Sequence, residues 1–143
     1  LEVVGFMEFP QEIQSLLQAG RIRFTPLVDF IELQRLIAQV DVNIVPLVNN
    51  SFTNCKSELK YFEAALVDTI TVATPIYSYR NNIKNGENGF LCESENVEKL
   101  IILIKQIVSL PSLELQRISD NAVSVAKNMT DRKVAEHYIH SII

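Results

Sequence analysis

The stretch "NCKSELKYFEAALVDTITVATP", residues 54–75, joins a helix directly to a buried strand and decides the fold class. Residues 56–67 carry apolar side chains at helical spacing. Residues 69–74 are short and rich in β-branched side chains, which is typical of a buried strand. The helix side chains expected to face the core are Leu59, Phe62 and Leu66. A helix that leads into a buried strand predicts a parallel sheet.

The same alternation of strands and helices continues along the rest of the chain. Strands are predicted at residues 1–6, 21–27, 42–47, 69–74 and 89–93. Helices are predicted at residues 10–18, 29–40, 56–67, 95–108, 111–127 and 130–142. This order predicts an α/β fold with a Rossmann-like parallel sheet of about five strands flanked by helices.

Composition and charge limit the possible classes of protein. A length of 143 residues fits one domain, residues 1–143, and the formal net charge of -4 disfavours non-specific binding of nucleic acid. Since no apolar run approaches the roughly 20 residues of a membrane span, no transmembrane segment is expected. Cys55 and Cys92 are too few for a disulfide scaffold. Free thiols in a reducing, cytoplasmic compartment are expected, with a bridge as the alternative.

Three charged residues of the helix predicted at 56–67 suggest a ligand site. Lys56, Lys60 and Glu63 are spaced to share one helix face. The first N–H groups of a helix lack internal partners and favour anions, so Lys56 and Ser57 mark a phosphate site. The Glu63 carboxylate can accept two hydrogen bonds from a diol such as ribose. An ordinary solvated face with a weak Lys60–Glu63 pair explains the same residues, and helix physics alone leaves both interpretations open.

Other candidate sites have weaker support in the sequence. Lys56 would favour a reactive thiolate at Cys55, but no histidine is placed near it. His137 and His140 share a helical face, yet two ligands do not complete a metal site, and no metal is expected. The "NGENG" stretch, residues 85–89, lacks the phosphate-loop pattern and predicts a tight turn.

The longer stretch "CKSELKYFEAALVDTITVATPIYSYRNNIKNGENGFL", residues 55–91, resembles the carboxy-terminal domain of GT-B glycosyltransferases. It is most similar to the glycosyl transferases group 1 family. The upstream segments "VVGF", "RIRFTPLV" and "LIAQVDVNIVPLVNN" follow the order and spacing of that family's strands. The resemblance implies binding of a nucleotide-diphosphate sugar, UDP- or GDP-linked, within a retaining transferase of the hexosyltransferase type. It further implies a role in glycan biosynthesis without any additional cofactor.

The resemblance also assigns roles to individual residues. The family's helix N-terminus cradles the diphosphate, which corresponds to the backbone N–H groups of Lys56, Ser57 and Glu58. The family's ribose-binding glutamate corresponds to Glu63, and Lys60 on the same face is expected to assist.

Two positions are expected to line the sugar pocket. The family often carries two glutamates separated by seven residues, and the intervening residues 56–62 place Cys55 at the first of these positions. Tyr77 lies in the segment "TPIYSYR", residues 74–80, which is predicted as a loop. That loop either contributes to the sugar pocket or packs on the surface. No catalytic residue is assigned.

The resemblance implies that the chain is a fragment of a larger enzyme. The family's basic residues that grip the diphosphate belong to a region before Leu1, as does the amino-terminal acceptor domain. The chain is therefore expected to be a donor domain, incomplete at its beginning and inactive alone, whose partner is that missing domain. One alternative is a non-catalytic interaction module of the same fold. Another is a nucleotide-sugar epimerase, which would need acid and base groups that the sequence does not provide.

Overall fold

The fold is taken from a computed structural model that describes residues 1–129. The chain forms two compact units, the first spanning Leu1–Val40 and the second beginning at Asp41. That both units belong to a single domain stays a prediction. The helix predicted at residues 130–142, together with His137 and His140, lies outside the described residues.

The first unit contains two parallel strands and two helices. Its elements are β1 (Glu2–Val4), a 3₁₀ turn (Gln11–Ile13), α1 (Gln14–Gln18), β2 (Arg23–Thr25) and α2 (Phe30–Ile37). Val3 of β1 pairs with Phe24 of β2. Asp29 caps α2, because its carboxylate accepts a hydrogen bond from the Glu32 N–H at 2.9 Å.

The second unit holds a three-stranded parallel sheet in the order β3-β4-β5. Its elements are β3 (Val42–Val45), α3 (Ser51–Asn54), α4 (Leu59–Ala65), β4 (Ile70–Ala73), α5 (Tyr77–Asn82), β5 (Phe90–Leu91), α6 (Val97–Val108) and α7 (Ser112–Asn128). All four residues of the central strand β4 are buried, which explains its run of β-branched side chains. The prediction of parallel strands flanked by helices is confirmed, and the five strands are divided between two sheets.

Two buried clusters of side chains stabilise the second unit. Neighbouring residues of β4 belong to different clusters, Val72 to one and Ala73 to the other, because successive side chains of a strand point to opposite faces. The cluster around Ala73 comprises Val45, Tyr61, Ala65, Ala73, Ile76, Tyr79, Ile83, Ala122 and Ala126. The cluster around Val72 comprises Ile70, Val72, Phe90, Ile107 and Ile118.

The predicted core face of α4 is wrong. Leu59 and Leu66 are 57% and 58% exposed, and Phe62 is only partly buried. The buried residues of α4 are Tyr61, Ala64 and Ala65. Two physical features account for the difference: alanine lets a helix pack closely, and a tyrosine can be fully buried when its hydroxyl finds a partner. The Tyr61 hydroxyl donates to the Asn88 carbonyl oxygen at 3.2 Å.

Two short helices form where none is predicted. Residues 51–54 form α3 between β3 and α4, and the helix predicted at 56–67 is shorter, since α4 spans Leu59–Ala65. The segment 74–80, predicted as a loop, instead enters α5 at Tyr77. Pro75 stands before this helix, where proline is tolerated.

The turn at residues 85–89 forms as predicted and is held from inside. The Asn88 side chain is buried, accepting from the Lys84 N–H at 2.7 Å and donating to the Asn82 carbonyl oxygen at 3.0 Å. Gly89 has a φ of 155°, and a Cβ there would lie 3.2 Å from both the Ile83 Cγ2 and the Thr71 carbonyl oxygen. Glycine is therefore required at this position.

Alkaline pH is expected to weaken the fold through its two buried tyrosines. Burial raises the pKa of Tyr61 to about 12. Burial, followed by the negative charges of Glu58 and Glu63, raises the pKa of Tyr79 to about 12. Because an unfolded tyrosine ionises at about 10, the unfolded chain loses protons first. The stability that the two protonated tyrosines contribute to the fold is complete below about pH 10 and is lost as the pH rises to about 12.

Urea unfolding from about pH 8 to about pH 12 measures this effect. The free energy of unfolding should be independent of these two groups below about pH 10 and should fall above it. Tyr61→Phe should lower stability at neutral pH by about 1 kcal/mol through its lost hydrogen bond, and should make the alkaline fall shallower. An identical alkaline slope in the variant would contradict the assignment.

Candidate functional site

Most of the predicted site residues lie in the segment that runs from the carboxyl end of β3 into α4. Three asparagines organise this segment, beginning with Asn50, which forms a capping box with Thr53 at the start of α3. The Asn50 Oδ1 accepts from the Thr53 N–H at 2.9 Å, and the Thr53 hydroxyl accepts from the Asn50 N–H at 3.1 Å. A four-residue helix therefore has a defined beginning despite its length.

Asn54 ties α3 to the start of α5. Its Nδ2 donates to the Asn49 Oδ1 at 2.7 Å and to the Asn50 carbonyl oxygen at 2.8 Å. Its Oδ1 accepts from the Tyr77 N–H at 2.8 Å. The residue before α5, Ile76, has no side chain able to cap the helix, so Asn54 supplies the missing acceptor. The segments that follow β3 and β4 are thus joined through one side chain.

The backbone between α3 and α4 presents free hydrogen-bond donors. The Lys56 N–H, one of the three donors expected to hold a diphosphate, is already used, since it donates to the Thr53 carbonyl oxygen at 3.0 Å. Within residues 1–129, the N–H groups of Ser57, Glu58 and Leu59 have no acceptor. The available donors are therefore shifted one residue along the chain from the predicted set.

The Lys56 side chain contacts an aromatic ring. Its Nζ lies 4.8 Å from the centre of the Phe52 ring, a cation–π contact. The Phe52 side chain is 74% exposed, and both Lys56 and Lys60 are exposed. The structure places Lys56 outside α4 and Lys60 in its first turn, so the single stripe expected on one helix is divided.

Glu58 and Glu63 are both partly buried and lie close enough to Tyr79 to raise its pKa. The carboxylate of Glu63 forms no ion pair or hydrogen bond within the described part of the chain. The weak Lys60–Glu63 pair considered from the sequence is accordingly absent among residues 1–129. Glu63 is thus available to accept hydrogen bonds from a ligand.

The two residues expected at the sugar pocket are exposed. Cys55 ends α3 and carries an exposed free thiol, whereas the second free thiol, Cys92, is partly buried. Tyr77 is 60% exposed and begins α5, where Asn54 fixes its backbone. Cys55 is adjacent in the chain to Asn54, so both residues belong to the segment that Asn54 organises.

A cavity of about 260 Å³ opens at the carboxyl ends of the three strands of the second unit. It is lined mainly by apolar residues of β3, β4 and α6, with Glu93 and Glu95 among its polar residues. None of the predicted site residues is among the described residues that line it. The wall formed by residues 1–129 has two carboxylates and no basic side chain, which makes the cavity a poor site for a diphosphate.

The sequence reasoning missed Phe52 and the three asparagines. A capping signal was present, since Asn50 and Thr53 have the spacing of a capping box. No comparable local signal identifies Asn54, because its partner Tyr77 is distant in sequence. Phe52 has the apolar side chain of a typical core residue. No pattern in the sequence indicates its exposed contact with Lys56.

Neither a metal centre nor a membrane span is found in the part of the chain that the structure describes. No three His, Cys, Asp or Glu side chains of residues 1–129 are grouped as metal ligands would be. None of the helices described above combines the length and apolar character needed to cross a bilayer.

The sequence profile of the family described as glycosyl transferases group 1 matches residues 1–109. The match includes every residue of the predicted site. The chain belongs to this family. A comparison with curated proteins gives no significant match.

Solved structures with the fold of this glycosyl transferases group 1 chain include the C-terminal domain of LpcC, a group 1 protein from Francisella tularensis. It is 19% identical with a TM-score of 0.63, and the match covers 81% of this chain and 58% of that one. HepE from Anabaena, in complex with UDP and glucose, is 19% identical with a TM-score of 0.73, covering 97% of this chain and 40% of that one.

A mutant of S. aureus TarM, in complex with fondaparinux, α-GlcNAc-glycerol and UDP, is 14% identical with a TM-score of 0.73. The match covers 97% of this chain and 28% of TarM. At these identities the likeness shows a shared fold. The group 1 chain spans between 28% and 58% of the lengths of these three structures.

Proposed function

We propose that the chain binds the nucleotide-diphosphate part of a sugar donor within a retaining glycosyltransferase. The observation that carries the proposal is the group 1 family match over residues 1–109, which includes the whole segment 55–63. Geometry is compatible with it: within the described residues 1–129, three N–H groups without acceptors follow Lys56, and a carboxylate without an ion pair lies further along at Glu63. A diphosphate accepts hydrogen bonds from the former, and a ribose diol donates to the latter.

Each site residue has a role in this proposal. The N–H groups of Ser57, Glu58 and Leu59 bind diphosphate oxygens, and the Lys56 ammonium neutralises their charge. Glu63 accepts hydrogen bonds from the ribose hydroxyls. Lys60, exposed in the first turn of α4, adds positive charge near the start of that helix.

The sugar itself belongs on the other side of the diphosphate, near two exposed side chains. We assign Cys55 and Tyr77 to its pocket, because Asn54 joins the segment before Cys55 to the backbone of Tyr77. A thiol replaces the carboxylate that the family often carries at this position. The donor sugar is therefore held without a carboxylate at this position, and no catalytic base is assigned to this chain.

In the complete enzyme, the bond between the anomeric carbon and the diphosphate oxygen breaks while a bond to the acceptor oxygen forms on the same face of the sugar. The leaving diphosphate takes the electron pair of the broken bond and accepts the proton that the acceptor hydroxyl releases. Donors fixed in advance stabilise the negative charge that develops on the diphosphate. We propose a hexosyl group as the transferred sugar and glycan biosynthesis in the cytoplasm as the setting, with no additional cofactor. The acceptor is bound by another domain, so residues 1–143 alone are inactive.

Calorimetric titration of the chain with UDP and GDP tests this proposal. UDP is the first probe because the HepE and TarM structures contain it. Saturable binding is expected, and Glu63→Ala should weaken it by about 1.5–3 kcal/mol, the usual contribution of a hydrogen bond to a charged group.

Glu98→Ala on α6 is the matched control, because it removes an exposed carboxylate from the same unit outside the proposed site. It should leave the affinity unchanged. Equal weakening by the two substitutions would contradict the role of Glu63. Absence of binding by either nucleotide would favour the alternative of a non-catalytic interaction module.

A further inference from the structure

Phe52 is a large aromatic residue whose ring is mostly in water. Its side chain is 74% exposed, and neither buried cluster of the second unit contains it. A phenylalanine in that position contributes little to the core. Core packing therefore does not explain why an aromatic ring lies beside the Lys56 ammonium. The Lys56 Nζ lies 4.8 Å from the ring centre, within the range of a cation–π interaction.

The short helix that carries Phe52, α3, is held in place at both ends. α3 begins at the Asn50–Thr53 capping box. At its other end, Asn54 bonds to Asn49 and to the Tyr77 N–H. The ring therefore belongs to a helix turn that is fixed to two neighbouring segments rather than to a free loop.

A lysine side chain loses rotamer freedom when it is fixed. A ring that already restricts Lys56 removes part of this loss before a ligand arrives. Among residues 1–129, the N–H groups without acceptors begin at the very next residue, Ser57. A restrained ammonium on the residue that precedes them is favourable for an anion and irrelevant to an uncharged nucleoside.

We propose that Phe52 is a positioning residue that holds the Lys56 ammonium ready for the diphosphate of the donor. The inference rests on the proposed function, since it requires Lys56 to contact the diphosphate. Phe52 touches no reacting atom and acts through Lys56 alone. The consequence is a contribution that appears with UDP and disappears with uridine.

Titration of the full chain with UDP and with uridine tests the inference. Phe52→Leu should lower the affinity for UDP about two- to fivefold, the equivalent of one exposed cation–π contact, and leave the affinity for uridine unchanged. Phe52→Tyr should restore UDP binding because its ring keeps a negative face. A purely structural role would lower the affinity for both ligands.

Phe30→Leu is the matched control, because Phe30 lies in the first unit and is 63% exposed. It should change neither affinity. Thermal unfolding of Phe52→Leu should match that of the unsubstituted chain, since an exposed ring is removed.

Lys56→Ala separates the inference from the proposed function. If Lys56→Ala weakens UDP binding while Phe52→Leu leaves it unchanged or strengthens it, the positioning role is wrong and the proposed function stands. If Lys56→Ala has no effect on UDP, the role of Lys56 and the inference are both wrong. Weakening by both substitutions, for UDP alone, supports the inference.

Discussion

Gly89→Ala is expected to lower the free energy of unfolding by about 3 kcal/mol, from strain in the backbone and overpacking together. The φ of Gly89 is 155°, a conformation that residues with a Cβ rarely adopt. The added methyl group would lie 3.2 Å from the Thr71 carbonyl oxygen in the central strand β4, and a backbone atom there cannot move aside easily. Urea unfolding followed by circular dichroism measures the change.

Gly86→Ala in the same turn is the matched control. Gly86 also has a positive φ, 77°, but no atom of the described residues would lie within 4 Å of a Cβ at this position. Its substitution should cost only about 1–2 kcal/mol of left-handed strain. If the two variants were equally stable, close packing around Gly89 would not be what requires glycine there.

Asn88→Ala is expected to destabilise the chain by about 2–3 kcal/mol, because it leaves two backbone groups without partners. These are the Lys84 N–H and the Asn82 carbonyl oxygen, which the buried Asn88 side chain now satisfies. The Asn88 carbonyl oxygen additionally accepts the Tyr61 hydroxyl, so a shift of this turn also disturbs the buried tyrosine. Thermal and urea unfolding are the measurements.

Asn85→Ala gives the comparison for Asn88. The exposed Asn85 side chain accepts one hydrogen bond, from the Leu91 N–H at 2.8 Å. Water can replace that acceptor, so about 1 kcal/mol or less is expected. A larger loss from Asn85→Ala than from Asn88→Ala would contradict the view that the buried side chain organises the turn.

The elements that could be predicted from the sequence are those with strong periodicity. α2, α6 and α7 lie within or close to their predicted ranges, because each has a long apolar stripe and a clear beginning. β4 was equally clear because a strand buried on both faces reads as a continuous β-branched run. In these elements the local pattern of apolar residues was enough to predict the secondary structure, because the buried positions follow directly from that pattern.

The elements that were missed depend on contacts distant in sequence. The buried face of α4 is set by the hydrogen bond from Tyr61 to Asn88, which no helical spacing reveals. Similarly, α5 begins where Asn54 caps it, and Asn54 belongs to another segment. Alanine and tyrosine indicate a buried position less strongly than leucine does, although tight packing favours the alanines here.

Some features of the candidate site could likewise be predicted from the sequence, and others could not. Residue types at Lys56, Ser57 and Glu63 could be singled out from charge and helix position, and the resemblance supplied their roles. The exact donors could not be predicted, since Lys56 uses its N–H within the α3 turn. The contact between Phe52 and Lys56 likewise depends on a short helix that the sequence pattern does not indicate.

We propose that a nucleotide diphosphate binds on the segment from Cys55 to Glu63. Titration of the ¹⁵N-labelled chain with UDP, followed by amide chemical shifts in NMR spectra, locates the binding residues. We expect saturable shifts that are largest at Ser57, Glu58 and Leu59, with smaller shifts at Glu63 and Tyr77. Shifts confined to residues 92–97 at the rim of the cavity, or no saturable shifts at all, would contradict it.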